Sequence, residues 1–310
     1  MKRVMVGIAA AAILAGTQLT LGQGQGNPFV DHSDNGETIH VLPSPASIHS
    51  PRDTQPTDAP PRNSLSVFPA SYGSGDLINH GGPQVSLAQF VAIYWNSAVA
   101  NTTFNGKALH TIVSDFAVNF SNSPSYTVIQ QYGTAATPIA PQLAFAEFID
   151  SQKAAKSIND SSVRSYVASL FTRPGSPLSP DSNTVYGVYF PSGMTISTQG
   201  GRSCTSFCGY HGHFSYNGID IKYAVFPYTD CRACSLSGKT VADILTIVSS
   251  HEIREAVTDP DLNSWFDSAG YEADDKCAWH NLYKLSNGAW VQPEYSNGLP
   301  GYPGPGCIVP

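Results

Sequence analysis

The stretch His251-Glu252-Ile253-Arg254-Glu255 has the residue types and the spacing of a metal-dependent reaction centre. Residues four apart lie about one turn apart on one face of a helix, so His251 and Glu255 can hold a cation between them. Glu252 projects about 100° further round the axis, where it reaches a water on that cation without being a ligand. The layout is that of the helix-borne zinc peptidases, with a carboxylate in place of the second histidine. A third ligand must come from elsewhere, and Tyr271-Glu272-Ala273-Asp274-Asp275-Lys276-Cys277, just past the helix, is the best source. Asp275 is the first choice, with Glu272 and Asp259 behind it. His211 and His213 are further candidates, as ligands or as donors to a developing oxyanion.

One neutral imidazole and two carboxylates fully offset a divalent cation. A water on it is then less acidic than at a site of three neutral histidines. Such a donor set also suits Ca²⁺ or Mn²⁺, which accept oxygen ligands readily, but His251 makes Zn²⁺ the first choice. The plainer alternative is that His251 and Glu255 bond to each other one turn apart while Glu252 meets Arg254 or solvent. Other chemistries fit less well. Ser237-Gly238-Lys239-Thr240 lacks the earlier glycine of a phosphate loop, and no Gly-x-Ser-x-Gly elbow is present. Glu252 and Glu255 on adjacent turns of one helix cannot flank a sugar ring as a glycosidase pair must. Cys231-Arg232-Ala233-Cys234 lacks the strand-to-helix setting of a redox pair.

The elements that must position these residues follow from periodicity. Thr240 and Asp243 form a capping pair, and the apolar stripe Val241, Ile244, Leu245, Val248 runs on into His251 and Glu255 before Pro260 closes the helix. The proposed ligands therefore look inward. Tyr210 to Tyr216 and Ile219 to Phe226 flank Asn217-Gly218 as a hairpin, whose second strand is a candidate edge for holding an extended peptide. Phe90 to Trp95 and Thr184 to Phe190 read as buried strands, and Tyr126 to Tyr132 as another. Leu109, Ile112, Val113, Phe116, Ala117 and Phe120 mark an amphipathic helix. Leu143 to Ile149 and Ser162 to Phe171 read as two more, the second capped by Asn159, Asp160 and Ser161. The alternation predicts an α+β, or mixed α/β, fold: a single zincin-like domain with a central sheet, flanking helices and a disulfide-rich, loop-rich C-terminal part.

The chain has 310 residues. Residues 1–22 read as a signal peptide, with Lys2 and Arg3, then the apolar run Val4 to Leu14, then small residues. That run is too short for a membrane span, and nothing later approaches the roughly 20 apolar residues a span needs. Residues 23–69, rich in Pro, Ser, Asp, Asn and Thr, read as a disordered spacer or pro-segment, and residues 70–310 as the folded domain. All 6 cysteines fall between residues 204 and 307, and an even count in an exported chain favours disulfides. A Cys277–Cys307 bridge is expected, with Cys204, Cys208, Cys231 and Cys234 paired around the hairpin; a zinc site of those four is the rival. The formal charge of −7 argues against nucleic acid, which calls for a basic patch. Secretion is expected, with the periplasm or cell surface as other destinations; oligomeric state is not legible.

Three further pieces, taken together, resemble a known family. His80-Gly81-Gly82-Pro83 precedes an apolar strand, Cys208-Gly209-Tyr210-His211-Gly212 opens the hairpin, and His251-Glu252 is followed by Ala256-Val257-Thr258-Asp259-Pro260. With Trp265 and the Glu272…Asp275…Cys277 segment, they resemble, in order over roughly residues 76 to 310, the EXORDIUM-like, phosphate-induced protein family. That resemblance implies an extracellular or cell-wall-associated protein, linked in plants to growth and cell expansion, with bacterial relatives. It also implies that His251, Glu252 and Glu255 with Asp275 form a zincin-like motif. Two functions follow as expectations. One is a zinc-dependent hydrolase, peptidase-like, acting outside the cell on a peptide or a wall or matrix polymer, with Glu252 and His211 as catalytic groups. The other is a non-catalytic extracellular protein whose metal is structural.

Overall fold

The computed structural model describes residues 26–48, 56–60 and 64–310. The expected signal peptide, 1–22, lies outside the described residues. The core is a seven-stranded mixed sheet. In chain order its strands are β1 (Val30–His32), β2 (Thr38–Pro43), β3 (Gln89–Tyr94), β4 (Ala144–Ile149), β5 (Thr184–Tyr189), β6 (Phe207–Tyr216) and β7 (Ile219–Phe226). In space they run β1-β2-β6-β7-β5-β3-β4. The half from β1 to β7 is antiparallel, whereas β7, β5, β3 and β4 are parallel. The mixed α+β class read from the sequence is the one observed.

Three helices cover the sheet: α1 (Leu109–Phe120), α2 (Asp160–Leu170) and α3 (Val241–Thr258). Side chains alternate between the faces of a strand. Tyr210 and Tyr223 therefore point to α2, where both hydroxyls donate to Asp160 at 2.7 Å. Gly209 and His211 face the other way, toward α3. The helix α3 starts with the predicted capping box of Thr240 and Asp243. From Ala242 to its end every residue but Asp243 is buried, so it runs through the core and does not lie on it. The hairpin turn is as predicted, with positive φ at Asn217 (51°) and Gly218 (80°). Three disulfides, Cys277–Cys307, Cys204–Cys231 and Cys208–Cys234, match the expected arrangement, and the cysteine zinc site is excluded because all four of its sulfurs are bridged. No helix among the described residues is long and apolar enough to cross a membrane.

Four expectations are corrected. Residues 126–132 are not a strand. Pro124 suits the first position of a helical turn, Pro124–Thr127, which continues into a 3₁₀ turn, Val128–Tyr132. Leu143 to Ile149 is not a helix but the edge strand β4, because pairing along β3 outweighs the helix propensity of its Ala and Glu. The strand Ile219–Phe226 lies between β6 and β5, so it has no free edge for a peptide. The described parts of 23–69 are not a spacer. Strands β1 and β2 extend the central sheet, Ser66–Phe68 pairs with Gly306–Val309, and Thr57 N donates to Trp279 O. Phe29, Ile39, Val41, Leu42 and Ile48 are buried there. Their partners lie far away in sequence, where local composition gives no hint of them.

Candidate metal centre

The site forms where α3 passes under the β2–β6 pair and the loop after the helix folds back. Helical spacing puts His251 and Glu255 together, with His251 Nε2 2.9 Å from Glu255 Oε2. The loop reaches them as predicted. Asp275 N donates to Glu255 Oε1 at 3.1 Å, Glu272 N donates to Asp275 Oδ2 at 2.9 Å, and Cys277–Cys307 anchors the far end. Asp275 Oδ1 then stands 3.7 Å from His251 Nε2. Each acid uses one oxygen to fix the loop and turns the other inward.

His211 comes down from β6. A bulge between Phe207 and Gly209 adjusts the strand, and Gly209 lets it approach the helix. A β-carbon there would stand 2.3 Å from Val248 Cγ1 and 2.9 Å from Glu252 Oε1. His211 Nδ1 lies 3.1 Å from Glu252 Oε2, so this imidazole and the residue after His251 are joined. His211 Nε2 faces Glu272 Oε2 at 3.7 Å. Opposite His211 in the β2–β6 ladder stands His40, its ring centroid 5.9 Å away and its Nδ1 against Glu272 Oε2.

The cluster therefore holds His40, His211, His251, Glu252, Glu255, Glu272 and Asp275. All but His40 are at most 1 % exposed, and His40 is 7 % exposed. Its donor atoms approach one another without satisfying one another. His40 Nδ1, His211 Nε2, His251 Nε2, Glu252 Oε1, Glu255 Oε2, both Glu272 oxygens and Asp275 Oδ1 are buried and form no hydrogen bond. Buried polar atoms are rarely left this way, and an unseen cation is one of the standard reasons. The close contact of His251 Nε2 with Glu255 Oε2 is misaligned for a hydrogen bond. The two atoms are placed as adjacent ligands of one ion would be. Burial drives all three imidazoles below their ordinary pKa, those of His211 and His251 far below. Burial first, and neighbouring carboxylates second, drives Glu252, Glu255, Glu272 and Asp275 well above theirs. Among the described residues no Lys or Arg forms an ion pair with these four acids: Arg254 is taken up by Asp274 and Glu294, and Lys276 by Asp267.

Of the residues named from sequence, His251, Glu255, Asp275, Glu252, His211 and Glu272 meet here. Asp259 lies beside Glu272; its Oδ1 is used by the amides of Asn263 and Ser264, at 2.7 and 2.6 Å, while its Oδ2 is buried without a hydrogen bond. His213 does not join; its Nδ1 is 2.9 Å from Asp220 Oδ1, toward the hairpin end. His40 and Gln292 were missed. Gln292 Nε2 lies 3.1 Å from His251 Nδ1 and donates to Asp274 O at 2.7 Å. The only local sign of His40 was the short apolar run Ile39, Val41, Leu42 around it. The His80-Gly81-Gly82-Pro83 segment braces the end of α3: His80 N donates to Ser264 O, and Gly82 N to Asn263 O. Comparison with family models, with curated proteins and with solved structures gives no match.

Proposed function

We infer that this chain is an exported metal-dependent hydrolase, peptidase-like, with zinc held by His251, Glu255 and Asp275. The observation that carries the reading is the convergence of unpartnered His251 Nε2, Glu255 Oε2 and Asp275 Oδ1 in a buried place without a countercharge. The oxygen-rich donor set also accepts Ca²⁺ or Mn²⁺. A bound divalent ion supplies Lewis acidity toward a carbonyl and makes a nearby water more acidic. Glu252, one residue along the helix with Oε1 free, would take the proton from such a water. His211 Nδ1, 3.1 Å from Glu252 Oε2, fixes the direction of that carboxylate. The substrate class in this reading is an extracellular peptide, or the polymer of a wall or matrix. The three disulfides and the resemblance to the EXORDIUM-like family support export and an extracellular setting.

A second reading rests on enclosure. With these side chains at most 1 % exposed, a metal here also suits a purely structural role, clamping the C-terminal loops of a non-catalytic extracellular protein. Glu252→Gln separates the two in a screen of peptide libraries with the zinc-loaded protein. In the hydrolase, turnover is lost while zinc content and melting temperature are kept. An activity that survives the change removes Glu252 as the base. With no turnover in the wild type and a fall in melting temperature on zinc removal, the structural reading stands.

A further inference from the structure

The ligand-bearing residues do not form one group. They form trios whose donor atoms lie within 4.8 Å of one another: His251, Glu255 and Asp275; His40, Glu272 and Asp275; and His211, Glu252 and Glu255. Ligands of a single zinc ion, each about 2.1 Å from it, stand no more than about 4.2 Å apart. One ion therefore serves the first trio and leaves the second unserved. The third needs none, because His211 Nδ1 and Glu252 Oε2 already meet in a hydrogen bond.

Charge leads to the same division. One divalent ion is neutralised by Glu255 and Asp275. Glu272 and Glu252 then remain buried beside His40 and His211, with no basic side chain to answer them among the described residues. Burying two carboxylates without a countercharge costs several kcal/mol each. A second divalent ion removes that cost.

We propose that the centre is dinuclear: a second divalent cation binds His40 Nδ1 and Glu272 and shares Asp275 with the first. This rests on the metal reading above. Nδ1 of His40 is buried without a hydrogen bond, both oxygens of Glu272 find no N–H donor and lie beside the Asp259 carboxyl, and His211 Nε2, also unpartnered, faces Glu272 Oε2 at 3.7 Å from the next strand. His211 Nδ1 faces the Glu252 carboxylate, so Nε2 is the nitrogen turned toward Glu272 at the edge of the second trio, the way a carboxylate orients an imidazole beside a metal. Strand β2 is thereby a ligand-bearing part of the centre, not a leader to it.

The test is the zinc content of the full secreted chain by mass spectrometry, with zinc as the probe, for wild type, His40→Ala and His251→Ala. About two ions per chain in the wild type and about one in each variant support the proposal. One ion in the wild type, kept in His40→Ala and lost in His251→Ala, overturns the second ion and leaves the first reading intact. No zinc in any of the three overturns both. If His40→Ala is not secreted, the wild type is loaded with Mn²⁺ and its electron paramagnetic resonance recorded. A spectrum of an exchange-coupled pair supports a shared Asp275, and the six-line signal of an isolated ion overturns it.

Discussion

Two buried ionic clusters lie side by side against α3, and they are built differently. Around Arg254 the ion pairing is internal. Its guanidinium meets Asp274 and Glu294, donates to Ser125 O at 2.8 Å and Gln292 O at 3.1 Å, and is fully buried with them. One cation faces two acids and almost every donor is used. Around His251 the acids outnumber the cations, and the facing nitrogens and oxygens fail to bond. The chain supplies the first cluster with its own cation, although both Glu294 oxygens lack a hydrogen bond, whereas the four acids of the second pair with no Lys or Arg among the described residues. Helix register separates them, since Arg254 is three positions past His251 and points to the neighbouring side.

This contrast can be broken at several points. Arg254→Met should have the largest effect, because it leaves Asp274 and Glu294 buried and unpaired, a loss of about 3–5 kcal/mol. In thermal denaturation that is a fall on the order of 10 °C, whatever the zinc concentration. A small fall, or one cured by zinc, would show that the Arg254 cluster is not self-contained. Zinc removal should come next. With free zinc a thousand-fold above its Kd, the bound state gains about 4 kcal/mol over the metal-free protein. Chelation should therefore lower the melting temperature of the wild type and leave that of a His251→Ala, His40→Ala double variant unchanged. An equal fall in the double variant would place the metal elsewhere.

Gln292 sharpens the comparison because it touches both clusters. An ion on His251 Nε2 requires the proton on Nδ1, so the Gln292 amide must then offer its oxygen there, whereas its nitrogen now serves Asp274. Gln292→Leu should weaken zinc by about 10- to 100-fold while leaving the full stoichiometry at saturation. Competition with a fluorescent chelator measures this, and unchanged affinity would mean that Gln292 does not orient the ligand.

The smallest effect belongs to an ion pair outside both clusters. Burial raises the Asp150 carboxyl, but Ser151 N–H at 2.7 Å, Arg173 and the Tyr166 hydroxyl at 2.9 Å outweigh it and hold the pKa below the usual carboxylate range. A depressed folded pKa adds stability above the unfolded pKa, lost as pH falls through the folded one. Asp150→Asn should cost about 1 kcal/mol or less at pH 7, and the gap from wild type should close as the pH falls below the usual carboxylate range. A gap that persists in acid would assign the effect to packing.

What was legible in the sequence was local. The capping box, the stripe leading into His251, the spacing to Glu255 and the acidic loop bounded by Cys277 all lie within one contiguous stretch, and each appears where its pattern placed it. That Cys204, Cys208, Cys231 and Cys234 pair around one hairpin was also legible, but not which cysteine joins which. What was missed is non-local. The sequence around His40 reads as part of a Pro- and Ser-rich leader, and only the ladder between β2 and β6 reveals that Thr38–Pro43 is a strand beside His211. For the same reason residues 144–149 were misread: the partner that makes β4 a strand is β3, far back in the chain.

The place of His40 in β2 has a consequence for how this protein comes into being. Its imidazole, that of His211 and the carboxylate of Asp275 are drawn from widely separated parts of the sequence, and closing such long loops is slow and entropically costly. No nascent fragment that stops before the loop at Asp275 contains the whole cluster, so a cation bound there would not guide the early steps of folding. On the proposed reading they would enter last, as a clasp over an almost finished chain that raises the barrier to its reopening.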